Sequence, residues 1–467
     1  MQFNWAQFIT SMVVILFIMH VFLLGVAYLI LLERKIASWA QDRIGPNRVG
    51  LGGLIRPVSN ILVTVLIFPF QFFGLFKNFD PDAIWQKGAP KKLAEASMLG
   101  FGQPLADGVK FIAKEDYNPR TVDKTLFILA PVLAAVPALL GWAVIPWGGV
   151  WDSFPLITFP SWMPLIGDAS IGGHPVNVAG ADISVGVIYI LAIGSLSVYG
   201  IAVGAWAANN KYTFFGGIRG VAQILSYEIP MGLCLLCVLL LAGSGAANDI
   251  IGPQIGHWFG LIPKWYVFQQ PMVAIMFFIC VLAETNRAPF DLAEAEQELI
   301  GGFHTEYSSM KFALYFLGEY IHMATGCAFF SLLFLGGWHL PWLDSIIFGS
   351  DPLFSGIIAV IIKIHIFLAK VTVLLAVMMW IRWTVPRLRF DQLMGLAWKA
   401  MIPLTLLYLL TTGLFVYFGW QDYMLLGNLG ATAIAMVLLP LLPSGPPVNR
   451  RVPLKGSRFS PLVTAEN

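Results

Sequence analysis

Charge is scarce in this chain. Charged residues make up 12% of its 467 positions, about half of the roughly 25% usual in soluble globular domains. With 58% hydrophobic residues and a mean hydropathy of +0.75, this excludes a large soluble domain and leaves a polytopic helical membrane protein. Cysteine is also sparse. The four present (Cys234, Cys237, Cys280 and Cys327) all fall in apolar runs, where buried thiols are expected. Cys234-x-x-Cys237 lacks the second pair that zinc or an iron–sulfur cluster would need, and no other metal site is apparent. There is no G-x-G-x-x-G after a strand and no Walker A motif, so no nucleotide is expected on this chain. The first ten residues, MQFNWAQFIT, contain no Lys or Arg, which argues against a cleaved signal peptide.

The most useful absence is that of Lys and Arg along whole stretches. None occurs from Thr125 to Asn210, from Val221 to Pro263, or from Phe312 to Ile362. By contrast, Glu33–Lys124 holds 13 basic residues, Arg382–Lys399 four, and Arg450–Arg458 four. Short basic loops stay in the cytoplasm. Nine apolar spans then fit the pattern: 8–32, 126–147, 183–207, 221–243, 267–284, 312–336, 355–381, 400–420 and 423–442. The fold expected is an all-α polytopic bundle with its N-terminus outside and its C-terminus inside, forming a single membrane domain over 1–467.

One apolar run does not fit. Ile61–Phe76 contains Pro69 and has cations on both sides. A span there would invert every later helix against the charge pattern. Residues 50–98 therefore read as an interfacial or re-entrant insertion in the first cytoplasmic loop, and 443–467 as a basic cytoplasmic tail. The outside loop Gly148–Asp182, rich in Pro, Gly and Trp, reads as an ordered cap.

What charge there is sits in a few places. Directly after an apolar run, residues Ala283–Leu299 read AETNRAPFDLAEAEQEL, with Glu284, Asp291, Glu294, Glu296, Glu298 and the single cation Arg287. Acids at a helix end contribute little to topology and are costly against lipid, so such a cluster needs water, a cationic partner, or both. On a helix beyond Pro289, Asp291, Glu294 and Glu298 would share one face, with Glu296 turned away. Crowding and partial burial raise carboxylate pKa values, which suits proton storage near neutral pH. Three further segments share the cytoplasmic side: Glu33-Arg34-Lys35 followed by GPNRVG, QPLADGVK with Asp107, and RWTVPRLRFDQ with Arg382 and Arg387. Within the spans lie Glu228, Glu319, Lys363, His365 and Lys370. A charge at mid-helix costs about 2.5–3.5 kcal/mol on insertion scales, so these read as a buried polar path, with Lys363, His365 and Lys370 as a possible intramembrane relay. His365 and His322 each also fit a hydrogen-bonded packing residue.

At these segments the chain resembles the membrane H-subunit (subunit 1) family of respiratory complex I, the NADH-quinone oxidoreductase. The matching runs are ERK with GPNRVG, QPLADGVK with KE, KYTFFGGIRGVAQILSYEIP, AETNRAPFDLAEAEQEL with FHTEY and GEY, and PRLRFDQLMGLAWK. They cover most of 1–50 and 99–420. The resemblance implies a subunit that forms most of a quinone chamber (ubiquinone or menaquinone) and carries no iron–sulfur cluster, flavin or nucleotide of its own. It implies as partners the hydrophilic quinone-site and iron–sulfur subunits, small membrane subunits and lipid, but no nucleic acid, in a bacterial inner membrane. It implies that Glu33, Arg34, Asp107, Arg382 and Arg387 line the chamber. Tyr227, Glu228, Glu284, Asp291, Glu294, Glu296, Glu298 and Glu319 match the acidic path leading from it.

There are departures. The family runs from GPNRVG almost directly into GLLQPLAD. Here Gly53–Asn60 looks like a degraded first copy, with Asn60 standing where Asp107 stands in the better match at Gly102–Asp107. A ninth span and the basic tail exceed the commoner eight-span form. Two alternatives share some of these features: the anchor of a membrane-bound hydrogenase or other ferredoxin-fed complex, whose chamber motifs tend to diverge, and a stand-alone ion transporter, which leaves the cytoplasmic motifs unexplained. The reading of the insertion is testable. With Asp80→Cys, an impermeant maleimide is expected to label only from the side of the basic loops; labelling from the other side would make Ile61–Phe76 a span.

Overall fold

A computed structural model of the chain describes residues 5–47, 49–50, 100–151, 157–158, 170–171, 175–258, 262–294, 300–341 and 357–438. The stretches expected as an interfacial insertion and a basic tail, together with Glu296 and Glu298, lie outside the described residues. The fold is an all-α bundle of membrane helices. Helix α1 runs over Trp5–Ala40, interrupted by a π turn at Ile18–Phe22. The amphipathic α2 spans Gln103–Ala113. Then come α3 (Lys124–Leu140), α4 (Gly186–Ala207), α5 (Lys211–Ala242) and α6 (Pro271–Glu284). The last four are α7 (Ser309–Phe334), α8 (Ile357–Thr384), α9 (Phe390–Tyr417, with a π turn at Leu396–Met401) and α10 (Met424–Leu438).

A helix stands at each of the nine expected places. Seven of them (α1, α3, α4, α5, α7, α8 and α9) have the length and hydropathy to cross a bilayer. Helix α6 has 14 residues, about 21 Å at 1.5 Å per residue. The apolar run expected to be one span is broken at Gln270, whose backbone leaves the helical region between the short helix Tyr266–Gln269 and Pro271. Helix α1 extends beyond the expected 8–32, so Glu33 and Arg34 sit on its last turns.

Between apolar helices in lipid there is little hydrophobic drive to associate, so contact depends on small residues and hydrogen bonds. Helices α3 and α4 approach so closely that a Cβ on Gly200 would lie 2.5 Å from the Ala134 nitrogen. Tyr315 of α7 reaches the same point, its hydroxyl donating to the Gly200 carbonyl at 2.9 Å. The interior of α6 and α7 is aromatic, with Phe277 wedged among Phe329, Phe330 and Phe334. Large apolar side chains such as Val13, Trp206, Trp380 and Leu410 are exposed on the outer faces, as lipid or neighbouring membrane subunits require.

The loop before α4 is anchored by two short antiparallel strand pairs, Val150–Trp151 with Val176–Asn177 and Ile157–Thr158 with Ser170–Ile171. Trp147 is buried beneath it, and Gln7 of α1 exchanges hydrogen bonds with the Asn177 backbone. At the other end the two sides of the insertion meet. The Gly102 amide donates to the Val49 carbonyl at 3.0 Å, so GPNRVG abuts QPLAD despite the residues between them.

The acidic loop after α6 differs from the sequence expectation. Asp291–Glu294 form turns rather than a helical face, and the Leu388 amide bonds the Pro289 carbonyl at 3.2 Å. The loop is stitched back on itself at Gly302 (φ +62), where a Cβ would sit 1.8 Å from the Ala293 carbonyl oxygen. Gly302→Ala is therefore expected to cost about 2–3 kcal/mol or more, read as a lower unfolding temperature of the detergent-purified protein. Wild-type stability would contradict this packing.

Candidate functional site

The ends of α1 and α8, the loop after α6 and one face of α7 converge on a single buried group, the guanidinium of Arg287. Arg287 is 5% exposed. Its Nη1 lies 3.6 Å from Glu33 Oε1, and its Nη2 lies 3.5 Å from Glu319 Oε2. Its plane rests over the Tyr320 ring at 4.5 Å, a contact worth roughly 2 kcal/mol when desolvated. Glu33 is also buried, and its other contacts are strong ones. Arg382 of α8 donates to Oε1, and the Tyr320 hydroxyl donates to Oε2.

Two further pairs flank this centre. Arg34 Nη1 binds Asp107 Oδ2 at 2.8 Å, with Gln103 and Lys110 on the other carboxylate oxygen. Thus α2 is docked to the last turns of α1. Arg387 Nη2 binds Asp291 Oδ2 at 2.5 Å. The start of the loop is fixed by Gln223 of α5, which donates to the Ala283 carbonyl and to Asn286 Oδ1. That bond holds Asn286 in its left-handed conformation (φ 50).

The loop carboxyls are pushed apart electrostatically. Burial and the neighbouring Glu294 raise the Asp291 carboxyl above its ordinary value, with Arg387 pulling back. For Glu294 burial again opposes ionisation, but a hydrogen bond with Glu319 and the charges of His304, Arg287 and Arg382 outweigh it and hold the carboxyl low. Adjacent acids with opposed proton affinities suit passing a proton rather than storing one. Arg287 stays charged: burial works against its cation, and Tyr320, Glu319, Glu33 and Glu294 more than compensate.

Deeper in the bundle, Glu284 at the end of α6 pairs with His322 of α7 at 3.1 Å. A cavity of about 40 Å³ lies beside them, lined by Glu284, Glu319, His322, Ser197, Asn286 and Tyr315 among others. Half-buried Glu228 lies within electrostatic reach of Glu284 and hydrogen-bonding reach of Ser195. Tyr227 is turned elsewhere, its hydroxyl donating to the Leu393 carbonyl of α9 at 3.1 Å.

The three candidate relay residues of α8 are placed apart from this centre. Lys370 Nζ donates to the carbonyls of Leu335, Gly337 and His339, closing the far end of α7. Lys363 lies over the Trp338 ring at 4.5 Å. His365 is exposed, with Nδ1 against the Ile361 carbonyl.

The sequence profile of the NADH dehydrogenase family matches residues 13–66 and 91–413. An NADH-quinone oxidoreductase H subunit of Geobacter metallireducens is 39% identical over 387 residues, 83% of this chain and 90% of that protein. The H subunit of Leptospira biflexa is 39% identical over 420 residues, 90% of this chain and 98% of its own length. That of Flavobacterium psychrophilum is 36% identical over 412 residues, 88% and 97% of the two chains. The chain belongs to the NADH-quinone oxidoreductase H-subunit family. It is thus a membrane subunit of an oxidoreductase complex.

The family profile leaves residues 67–90 unmatched, a shorter stretch than the insertion expected over 50–98, and the Val49–Gly102 bond brings the two sides of that stretch together. Sequence reasoning noted Arg287 only as a lone cation and missed its place at the centre. The available signal was one arginine in an otherwise acidic run at a membrane helix end, where an unpaired cation would be costly. It also left His322 open as a packing residue. Removing Arg287 would leave buried Glu319 without its cation and Glu33 with one arginine fewer, so Arg287→Met is expected to destabilise by about 3–5 kcal/mol. The double variant Arg287→Met, Glu319→Gln should recover part of that loss. Thermal unfolding of the purified complex measures both, and an Arg287→Met protein as stable as wild type would contradict the assignment.

Proposed function

We propose that this subunit forms the wall of a quinone chamber and the first part of a path that carries protons from it into the membrane. The carrying observation is Glu33, a buried carboxylate shared by Arg382, Arg287 and Tyr320 and one residue away from the Arg34–Asp107 pair. One group thereby joins the surface-facing cations to the buried acids.

Reduction of a quinone to its quinol takes up two electrons and two protons. The electrons would come from an iron–sulfur cluster in a neighbouring hydrophilic subunit, and the oxidised donor would be NADH. Arg34, Arg382 and Arg387 would stabilise negative charge on the quinone oxygens as electrons arrive. Drawing protons or shifting charge at Glu33 perturbs Arg287, and through it Glu319 and Glu294. Charge moved at one end of this chain is felt at the other because the intervening groups are desolvated. From Glu319 the path would continue through the cavity to Glu284 and Glu228. Glu296 and Glu298 would extend the acidic supply. In this reading Lys363, His365 and Lys370 act further along the membrane or hold α7 in place.

The topology belongs to the same proposal, with the basic loops, α2 and the acidic loop on the cytoplasmic face of a bacterial inner membrane. The names of the relatives favour a quinone-reducing complex over a hydrogenase anchor. Glu33→Gln and Arg382→Ala should each abolish NADH:quinone activity in membranes while NADH:ferricyanide activity, which needs only the hydrophilic arm, persists. Wild-type quinone rates in both variants would overturn the chamber.

A further inference from the structure

We infer that His322 is a proton relay between Glu284 and the cavity it shares with Glu319, an inference that rests on the path proposed above. His322 Nε2 lies 3.1 Å from Glu284 Oε1. Its other nitrogen, Nδ1, is buried with no hydrogen-bond partner among the described residues. A histidine kept only for packing satisfies its buried ring nitrogens. This one offers one nitrogen to a carboxylate and leaves the other bare, on a ring that lines a cavity.

The surroundings suit exchange. The cavity of about 40 Å³ exceeds the roughly 10–15 Å³ that one water needs by the same measure. Glu319 borders it three residues before His322, on the same face of α7, with its Oε2 held 3.5 Å from Arg287 Nη2. The opposing helix α4 presents Gly194 to the pair. A Cβ there would lie in ordinary contact with both, 3.4 Å from Glu284 Oε1 and 3.7 Å from His322 Cε1, so α4 packs directly against the pair. The other charged groups facing this site are Glu284 on α6, Glu228 on α5 behind it, and Arg287 on the loop, which is engaged by Glu319 and Glu33.

Imidazole is suited to this geometry because it exchanges protons at both ends. Facing an ionised Glu284, Nε2 carries the proton and Nδ1 the lone pair. A proton delivered through the cavity from the Glu319 side binds Nδ1, and Nε2 releases its proton to Glu284 Oε1. The ring keeps its charge and changes tautomer. Glu284 passes its proton toward Glu228, and the ring then turns to present its Nδ1–H to the emptied carboxylate and its bare Nε2 to the cavity, ready for the next proton. The reaction is balanced at each step, with one proton entering and one leaving.

The test uses the intact complex in membrane vesicles. Glutamine at position 322 can still donate to Glu284 but cannot exchange protons at two ends. His322→Gln and His322→Ala are expected to lower proton-coupled NADH:quinone turnover by on the order of tenfold or more, with NADH:ferricyanide activity unchanged. Added imidazole should restore turnover in His322→Ala and not in His322→Gln. Glu284→Gln serves as the reference. If Glu284→Gln loses coupled turnover while His322→Gln keeps the wild-type rate, His322 is structural and the relay is overturned, with the acidic path intact. If both variants turn over at the wild-type rate, the acidic path itself fails and the relay with it.

Discussion

The structure depends on keeping one cation, Arg287, charged in the interior of a membrane protein. Moving a guanidinium or a carboxylate out of water costs several kcal/mol even after relaxation, and only close, well-directed partners offset it. Here the partners come from separate places in the chain: Glu33 from the end of α1, Glu319 and Tyr320 from α7, and Arg382 from α8 on the far side of Glu33. None of these elements can shift independently without exposing a buried charge. The ion-pair chain is therefore both the clamp that sets the ends of α1 and α8 against one face of α7 and the conduit that the proposed function needs. A hydrophobic clamp would hold the helices equally well, but it would not respond to charge.

The response is graded along the chain. Arg34 is exposed and its partner Asp107 mostly buried, while Glu33 and Arg287 are fully buried. Charge changes near the surface are thus passed to groups that feel them more strongly. In the loop, Asp291 and Glu294 have opposite tendencies to hold a proton: burial and the Glu294 charge raise Asp291 against the pull of Arg387, while a hydrogen bond with Glu319 and the charges of His304, Arg287 and Arg382 hold Glu294 low against its own burial. Beyond Glu319 the direct ion pairs give way to the cavity and to the Glu284–His322 pair. Contact by fixed bonds ends there, and transfer by a mobile proton carrier becomes the natural continuation.

The helical bundle was legible in the sequence because hydropathy and the placement of Lys and Arg are local signals. The choice of Asp107 over Asn60 rests on LADGVK, which contains one and not the other; Asp107 pairs with Arg34, and Asn60 lies outside the described residues. The break at Gln270 was hidden because Tyr266–Gln269 and α6 are both apolar, and periodicity does not register a change in one residue's backbone. The centrality of Arg287 was hidden for a different reason. Its partners lie 254 positions before it and 32 after it (287 − 33 and 319 − 287), and nothing in the local run AETNRAPFD names them. Lys370 is the converse case. A mid-helix lysine looks like part of a proton path, yet its three bonds to carbonyls at the end of α7 give it a full set of partners for a structural role. A charge count cannot separate a lysine that closes a helix end from an arginine that links carboxylates.

The most direct test of the central claim, that the ends of α1 and α8 with α2 wall a quinone site above the buried acids, is photolabelling of the intact complex with an azido-quinone. The account predicts label that a quinone-site inhibitor displaces, on peptides containing Glu33–Lys35, Gln103–Lys110 or Arg382–Arg389. Displaceable label confined to other subunits, or to the opposite end of the bundle around Trp147 and Lys370, would contradict it.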